Sequence, residues 1–401
     1  MKSTPFKHII ITLTLSVALL SSFTKAVAQS YNVLVNKNYT VEAQINYGFF
    51  MHHHLEMSRF KAHFPSYQLS LQRNTFGKHR WETLYHYPTI GLSFLYSGLG
   101  GFEEIGQVYA LYPFINFPLN KNQNSQITFK LGVGLAYLTN KFDRIENYQN
   151  FSIGSHFNAA VNLTFEYRQK VSDRIQVTAS AGLVHFSNGS TKTPNFGLNI
   201  FNTGLGMSYY IKKPNPKINK KLLPELYPFE FDGKKWFSVD FQFAVGVKDL
   251  SQEYITSELY TVYDLSANVL KQFSNRSKAG IAFELVLDNS DKAILASNHK
   301  PWEHKYELLK PGIGAAYELL LDRMSFLFNL GWHLAGADQS EGSFYQKLTL
   351  RYECFDNIYT IFSLTTHYAR ADYLGLGIGY RFDFKYYTKR NAKKYNYHHY
   401  Q

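Results

Sequence analysis

The stretch HFSNGSTKTPNFGLN, His185 to Asn199, gathers the residue types of acyl-transfer chemistry into a short span. A serine hydroxyl is a poor nucleophile until a neighbouring base takes its proton, and His185 stands two residues before Ser187. Asn188 and Asn195 carry amide N–H groups that suit a developing oxyanion, as ester cleavage requires. The same asparagines, with Ser187 and Pro194, would also serve the geometry of a polar hairpin. H-x-S is a short pattern with many accidental matches, so the chemistry depends on whether the flanking elements bring these side chains together.

Those elements read as β-strands of a membrane barrel, in which apolar and polar or small residues alternate over about 9 to 11 positions. In VEAQINYGFF the odd residues Val41, Ala43, Ile45, Tyr47 and Phe49 are apolar, and Glu42, Gln44, Asn46 and Gly48 lie between them. Alternation of this kind recurs in segments starting at Ser66, Thr89, Ile105, Gln126, Asn158, Arg174 and Ile200, the last ending at Ile211. Eight strands is the smallest usual count for a closed membrane barrel. KKPNPKINKKLLPELYPFEFDGKK, rich in proline and lysine, then interrupts the pattern. From Ser238 to Phe384 the alternation supplies about eight more strands, and GIGYRFDF closes the last with the aromatic ending typical of outer-membrane barrels. Sixteen strands can close once, as a wide barrel, or twice; periodicity does not choose.

Composition agrees with an exported barrel. Residues 1–28 pair an early lysine-bearing stretch with a short apolar run and a small-residue end, Ala26-Val27-Ala28, which predicts a cleaved signal peptide. Cys354 is the one cysteine, so no internal disulfide framework holds the fold. Aromatic residues make up 17% of the chain and charged residues only 18%, which suits a lipid-facing surface better than a soluble one. The net charge of +12 becomes +9 once Lys2, Lys7 and Lys25 leave with the signal, and for an exported aromatic chain this basic excess points to an anionic membrane surface rather than to nucleic acid. The expected organisation is a signal at 1–28, an eight-stranded unit at 29–211, a basic proline-rich linker at 212–237, a second barrel-like unit at 238–384 and a basic tail at 385–401.

Side chains alternate faces along a strand, so the orientation of the opening residues follows from their neighbours. Ile175, Val177, Ala179, Ala181 and Leu183 are odd and apolar, and His185 and Ser187 share their parity. Phe201, Leu205, Met207, Tyr209 and Ile211 are odd as well, and so is Asn199. His185, Ser187 and Asn199 are therefore predicted on the lipid-facing wall of two paired strands. With a periplasmic N-terminus, the turn after the seventh strand lies on the extracellular side, where an outer-leaflet lipid is the substrate class within reach.

H-x-S-N followed by P-N-x-G, at the end of the seventh strand of an eight-strand unit, resembles the PagL-like lipid A deacylase family of outer-membrane esterases. In that family a Ser-His-acid triad on the outer barrel wall hydrolyses an ester-linked acyl chain of lipid A. The resemblance implies His185 as general base, Ser187 as nucleophile, Asn188 and Asn195 near the oxyanion, lipid A or another outer-leaflet lipid as partner, and neither metal nor cofactor. Where better-known members carry a glutamate two residues after the motif glycine, this chain has Asn199, whose amide oxygen can still hold a histidine ring but stabilises an imidazolium less. The resemblance covers Val41 to Ile211 and leaves the second half unassigned. The competing reading is a non-catalytic barrel, a passive pore or structural protein, that keeps the motif as a turn. Two other features are expected to be structural. His52 to His54 alternate faces and so do not converge on a metal, and His367 shares the lumenal parity of Ser363 and Thr365.

Overall fold

The computed structural model describes residues 39–52, 55–77, 79–122, 124–211, 236–250, 259–300, 302, 304–340, 342–368 and 370–385. The predicted signal peptide, most of the predicted linker, the tail beyond residue 385 and His53 and His54 lie outside them.

In the first half the strands are β1 (Tyr39–Phe50), β2 (His63–Asn74), β3 (Thr89–Ser97), β4 (Val108–Pro118), β5 (Ser125–Leu138), β6 (Phe157–Lys170), β7 (Ile175–Ser187) and β8 (Leu198–Tyr210). In the second they are β9 (Trp236–Asp249), β10 (Leu259–Gln272), β11 (Ser277–Asp288), β12 (Leu309–Leu321), β13 (Met324–His333), β14 (Phe344–Phe355), β15 (Ile358–His367) and β16 (Arg370–Lys385). Each strand within a half pairs antiparallel with the next; β1 also pairs with β8, and β9 with β16, so the sheet closes twice. The question that periodicity leaves open is settled: there are two eight-stranded barrels. Closure satisfies every ladder without a free edge, which is what lets strands span a bilayer.

The predicted faces hold throughout. In β1, Ile45 is 62% exposed while Glu42 is 0% exposed, and the exposed and buried residues alternate along the whole strand. The apolar residues line the outside because lipid is their solvent; the polar ones point inward, where they must pair with one another. In the first barrel Glu166 lies 2.6 Å from Lys130 Nζ and accepts from Arg168 at 2.7 Å, and Glu42 lies 3.3 Å from Arg168. In the second, Arg351 and Arg381 clasp Asp240 and Glu318 at 2.6 to 3.0 Å. A cavity of about 10 Å³ among Gln44, Gln68, Lys130 and Asn162 is room for a single water.

Toward the end of the first barrel where β7 passes into β8, the interior turns apolar. Val184, Phe186, Leu198 and Ile200 point inward into a cluster with Phe50 and Phe64, whose rings pack with their centroids 4.8 Å apart. That packing fixes the two strands whose outward positions carry His185, Ser187 and Asn199. His367, as expected, points into the second barrel, buried beside Asp372 with 3.4 Å between His367 Nε2 and the carboxylate.

Candidate active site

β7 and β8 run antiparallel with His185 directly opposite Asn199. Both point outward, and His185 Nδ1 lies 2.6 Å from Asn199 Oδ1. An amide oxygen only accepts, so Nδ1 carries the proton and donates it, leaving Nε2 as the basic ring nitrogen. Ser187 follows on the same face of β7, paired with Ala159 of β6, and is 7% exposed because the 188–197 loop folds over it.

Two donors converge on the Ser187 hydroxyl. Asn195 Nδ2 donates to Oγ at 2.8 Å and the Gly189 N–H at 3.1 Å. A hydroxyl has two lone pairs and one proton, so these bonds occupy its acceptor capacity and leave the O–H to be given to a base. Asn195 is aimed by the backbone: its Oδ1 accepts the Asn188 N–H at 3.0 Å, which turns Nδ2 toward Ser187. The Asn188 side chain faces away from this centre. Its Nδ2 donates to Ser155 Oγ at 3.0 Å and to the Lys192 carbonyl at 2.8 Å, so it closes the loop and contributes to the site through its backbone N–H.

The motif glycine has a steric reason. Gly197 adopts φ +75°, and a Cβ there would sit 2.8 Å from His185 Cε1, so any side chain would displace the ring. The loop between β5 and β6 supports the same turn: Gly197 N–H donates to the Ser152 carbonyl at 2.9 Å, and the Phe151 and Phe196 rings stack at 6.2 Å. The structure thus pairs His185 with Asn199 and Ser187 with Asn195, two residues apart along β7, and adds the Gly189 N–H, which residue-type spacing does not reveal because every residue but proline has a backbone amide N–H. Among the described residues no three His, Cys, Asp or Glu side chains are grouped to hold a metal ion.

A family model described as lipid A 3-O-deacylase (PagL) matches residues 66–208, and one described as acyloxyacyl hydrolase, C-terminal domain, matches residues 237–385. The chain belongs to the PagL-like lipid A deacylase family. The first match lies within the first barrel, from β2 to β8, and the second spans the second barrel, so the family extends over the second half, which the sequence motif alone leaves unassigned. As a PagL-like barrel with an apolar outer wall, the protein resides in the bacterial outer membrane. Solved structures similar to it include the outer membrane enzyme PagL (16% identity, 41% of this chain and 97% of that one, TM-score 0.30) and Neisserial surface protein A (9% identity, 43% and 96%, TM-score 0.30). KdgM porin aligns over 84% of this chain and 99% of its own at 9% identity and a TM-score of 0.17. No curated protein matches the chain.

Proposed function

We propose that this PagL-like protein is a serine esterase that removes an ester-linked acyl chain from lipid A in the outer leaflet. The observation that supports it most is the convergence, on one outward wall, of an Asn199-held His185 and a Ser187 whose Oγ receives two donors. Below the site the same wall presents the small Ala179 and Ala181 beside exposed Leu163, Phe165 and Leu205, an apolar track for a fatty acyl chain. Residues 29–211 form the catalytic unit in this reading and 238–384 a second unit.

His185 Nε2 takes the Ser187 proton as Oγ bonds to the acyl carbonyl carbon, and the carbonyl oxygen becomes an oxyanion. Asn195 Nδ2 and the Gly189 N–H, which donate to Oγ before attack, are the donors assigned to it. Collapse breaks the ester bond, and the imidazolium returns its proton to the departing lipid hydroxyl. Water repeats the sequence on the acyl-enzyme, releasing the fatty acid and restoring Ser187. A passive pore fits the structure less well, because paired side chains fill both interiors.

Mass spectrometry of lipid A from cells carrying the wild type or Ser187→Ala tests the assignment. The expected result is a lipid A lighter by one acyl chain with wild type and the intact lipid with the variant, a loss of about 10⁶ in turnover. Identical lipid profiles, with no fatty acid released by the purified protein, would end the esterase reading.

A further inference from the structure

The loop that carries the oxyanion donors is held by the second barrel. Thr193 N–H donates to Asp249 Oδ2 at 2.8 Å and Thr193 Oγ1 to the same oxygen at 3.1 Å, while Lys192 Nζ lies 3.3 Å from it. The backbone joins as well: Asp249 N–H donates to the Ser190 carbonyl at 3.0 Å, and Ser190 Oγ to the Ala371 carbonyl at 2.6 Å. Gly189, whose N–H reaches Ser187, lies so near Leu374 that a Cβ at 189 would sit 2.4 Å from its Cγ. Asp249 is the last residue of β9 and only 2% exposed, and Ala371 and Leu374 belong to β16. Just inside them, Lys248 bonds the carboxylate of Asp372 and lies 3.3 Å from Asp288, so the anchor points are themselves tied across the end of the second barrel.

We propose that the second barrel is a clamp for the catalytic loop, with Asp249 the positioning residue that keeps Asn195 and the Gly189 N–H aimed at Ser187. This rests on the esterase reading above and assigns the second barrel its part in that reaction. The chemistry fits a buried carboxylate: it takes two N–H and O–H donors and one ammonium from a single loop, a charge-assisted set that fixes both position and direction. Small displacements matter here, since about 1 Å of misplacement can lower turnover about a hundredfold. Asp249 touches no reacting atom, so its removal should act on turnover and spare binding of lipid to the first barrel's wall.

The full-length protein, refolded in detergent and given purified lipid A in micelles, provides the test. Wild type, Ser187→Ala, Asp249→Ala, Asp249→Asn and Leu374→Ala are compared for fatty-acid release and for heat-modifiable migration, which reports barrel closure. Asp249→Ala is expected to remain heat-modifiable and to lose about tenfold or more in kcat, with KM changed less than about twofold. Asp249→Asn should recover most of that loss, because its amide oxygen still accepts from Thr193. If Asp249→Ala fails to close, Leu374→Ala carries the comparison, with kcat again falling and KM held. If Ser187→Ala is inactive while Asp249→Ala and Leu374→Ala turn over at the wild-type rate, the clamp is wrong and the esterase reading stands. If wild type itself releases no fatty acid, the esterase reading falls and the clamp falls with it.

Discussion

In the proposed mechanism Asn199 decides how strong a base His185 becomes. It performs the geometric half of an acid's role, since its oxygen at 2.6 Å fixes the ring and places the proton on Nδ1. It omits the electrostatic half, because a neutral amide does little for the positive charge that the ring acquires when Ser187 loses its proton. Asn199→Asp should therefore raise kcat, by about tenfold if the carboxylate lowers the barrier by about 1.4 kcal/mol. Asn199→Leu should lower it, because the ring loses its partner and its defined tautomer. Steady-state fatty-acid release from lipid A by the three proteins checks this, and an unchanged rate in Asn199→Leu would show that the pair plays no part in turnover. Gly197 belongs to the same account: the ring can occupy this position only because residue 197 has no side chain.

At the scale of the strand, adjacent residues live in different solvents. Glu166 points inward to Lys130, Arg168 and Asn116, whereas Phe165 points to lipid. Glu166→Ala leaves two buried cations against Glu42 and should destabilise the barrel by about 3 to 5 kcal/mol. Phe165→Ala, one position away, should shift the urea midpoint in detergent far less, and equal shifts would contradict the assigned faces. This two-residue alternation is why so much of the fold is legible in the residues themselves. Strand number, strand faces and the common wall of His185, Ser187 and Asn199 follow from period and parity, whereas the direct pairing of His185 with Asn199 is set by the β7–β8 register. What parity cannot show is anything carried by a backbone group or by a loop's own curvature. The Gly189 N–H falls in that class, and so does the Asn188 side chain, whose residue type suits an oxyanion but whose amide closes the loop on Ser155 and Lys192.

At the scale of the molecule, what the sequence leaves open is long-range pairing. Side-chain alternation is the same in one wide barrel and in two small ones; only the β1–β8 and β9–β16 ladders distinguish them. The barrels then meet at both ends, through the Asp249 clamp and, at the opposite end, through Tyr85 O–H donating to the Leu320 carbonyl at 2.8 Å with Arg276 set 5.4 Å from the Tyr85 ring. Because β1 to β8 close on themselves, a chain ending at Ile211 retains every ladder of the first barrel and its buried charge network. It should fold, insert and migrate as a heat-modifiable barrel, yet it lacks Asp249, Ala371 and Leu374. Its fatty-acid release per folded molecule is expected to fall at least as far as that of Asp249→Ala, about tenfold or more, since all the anchors of residues 189–193 in the second barrel go at once. The comparison needs equal amounts of closed barrel, measured by heat-modifiable migration, and lipid A as the substrate. A truncated chain that deacylates at the full-length rate would show that the first barrel sets its own catalytic loop, and the contacts at Asp249 would then be a docking seam with no hold on the chemistry.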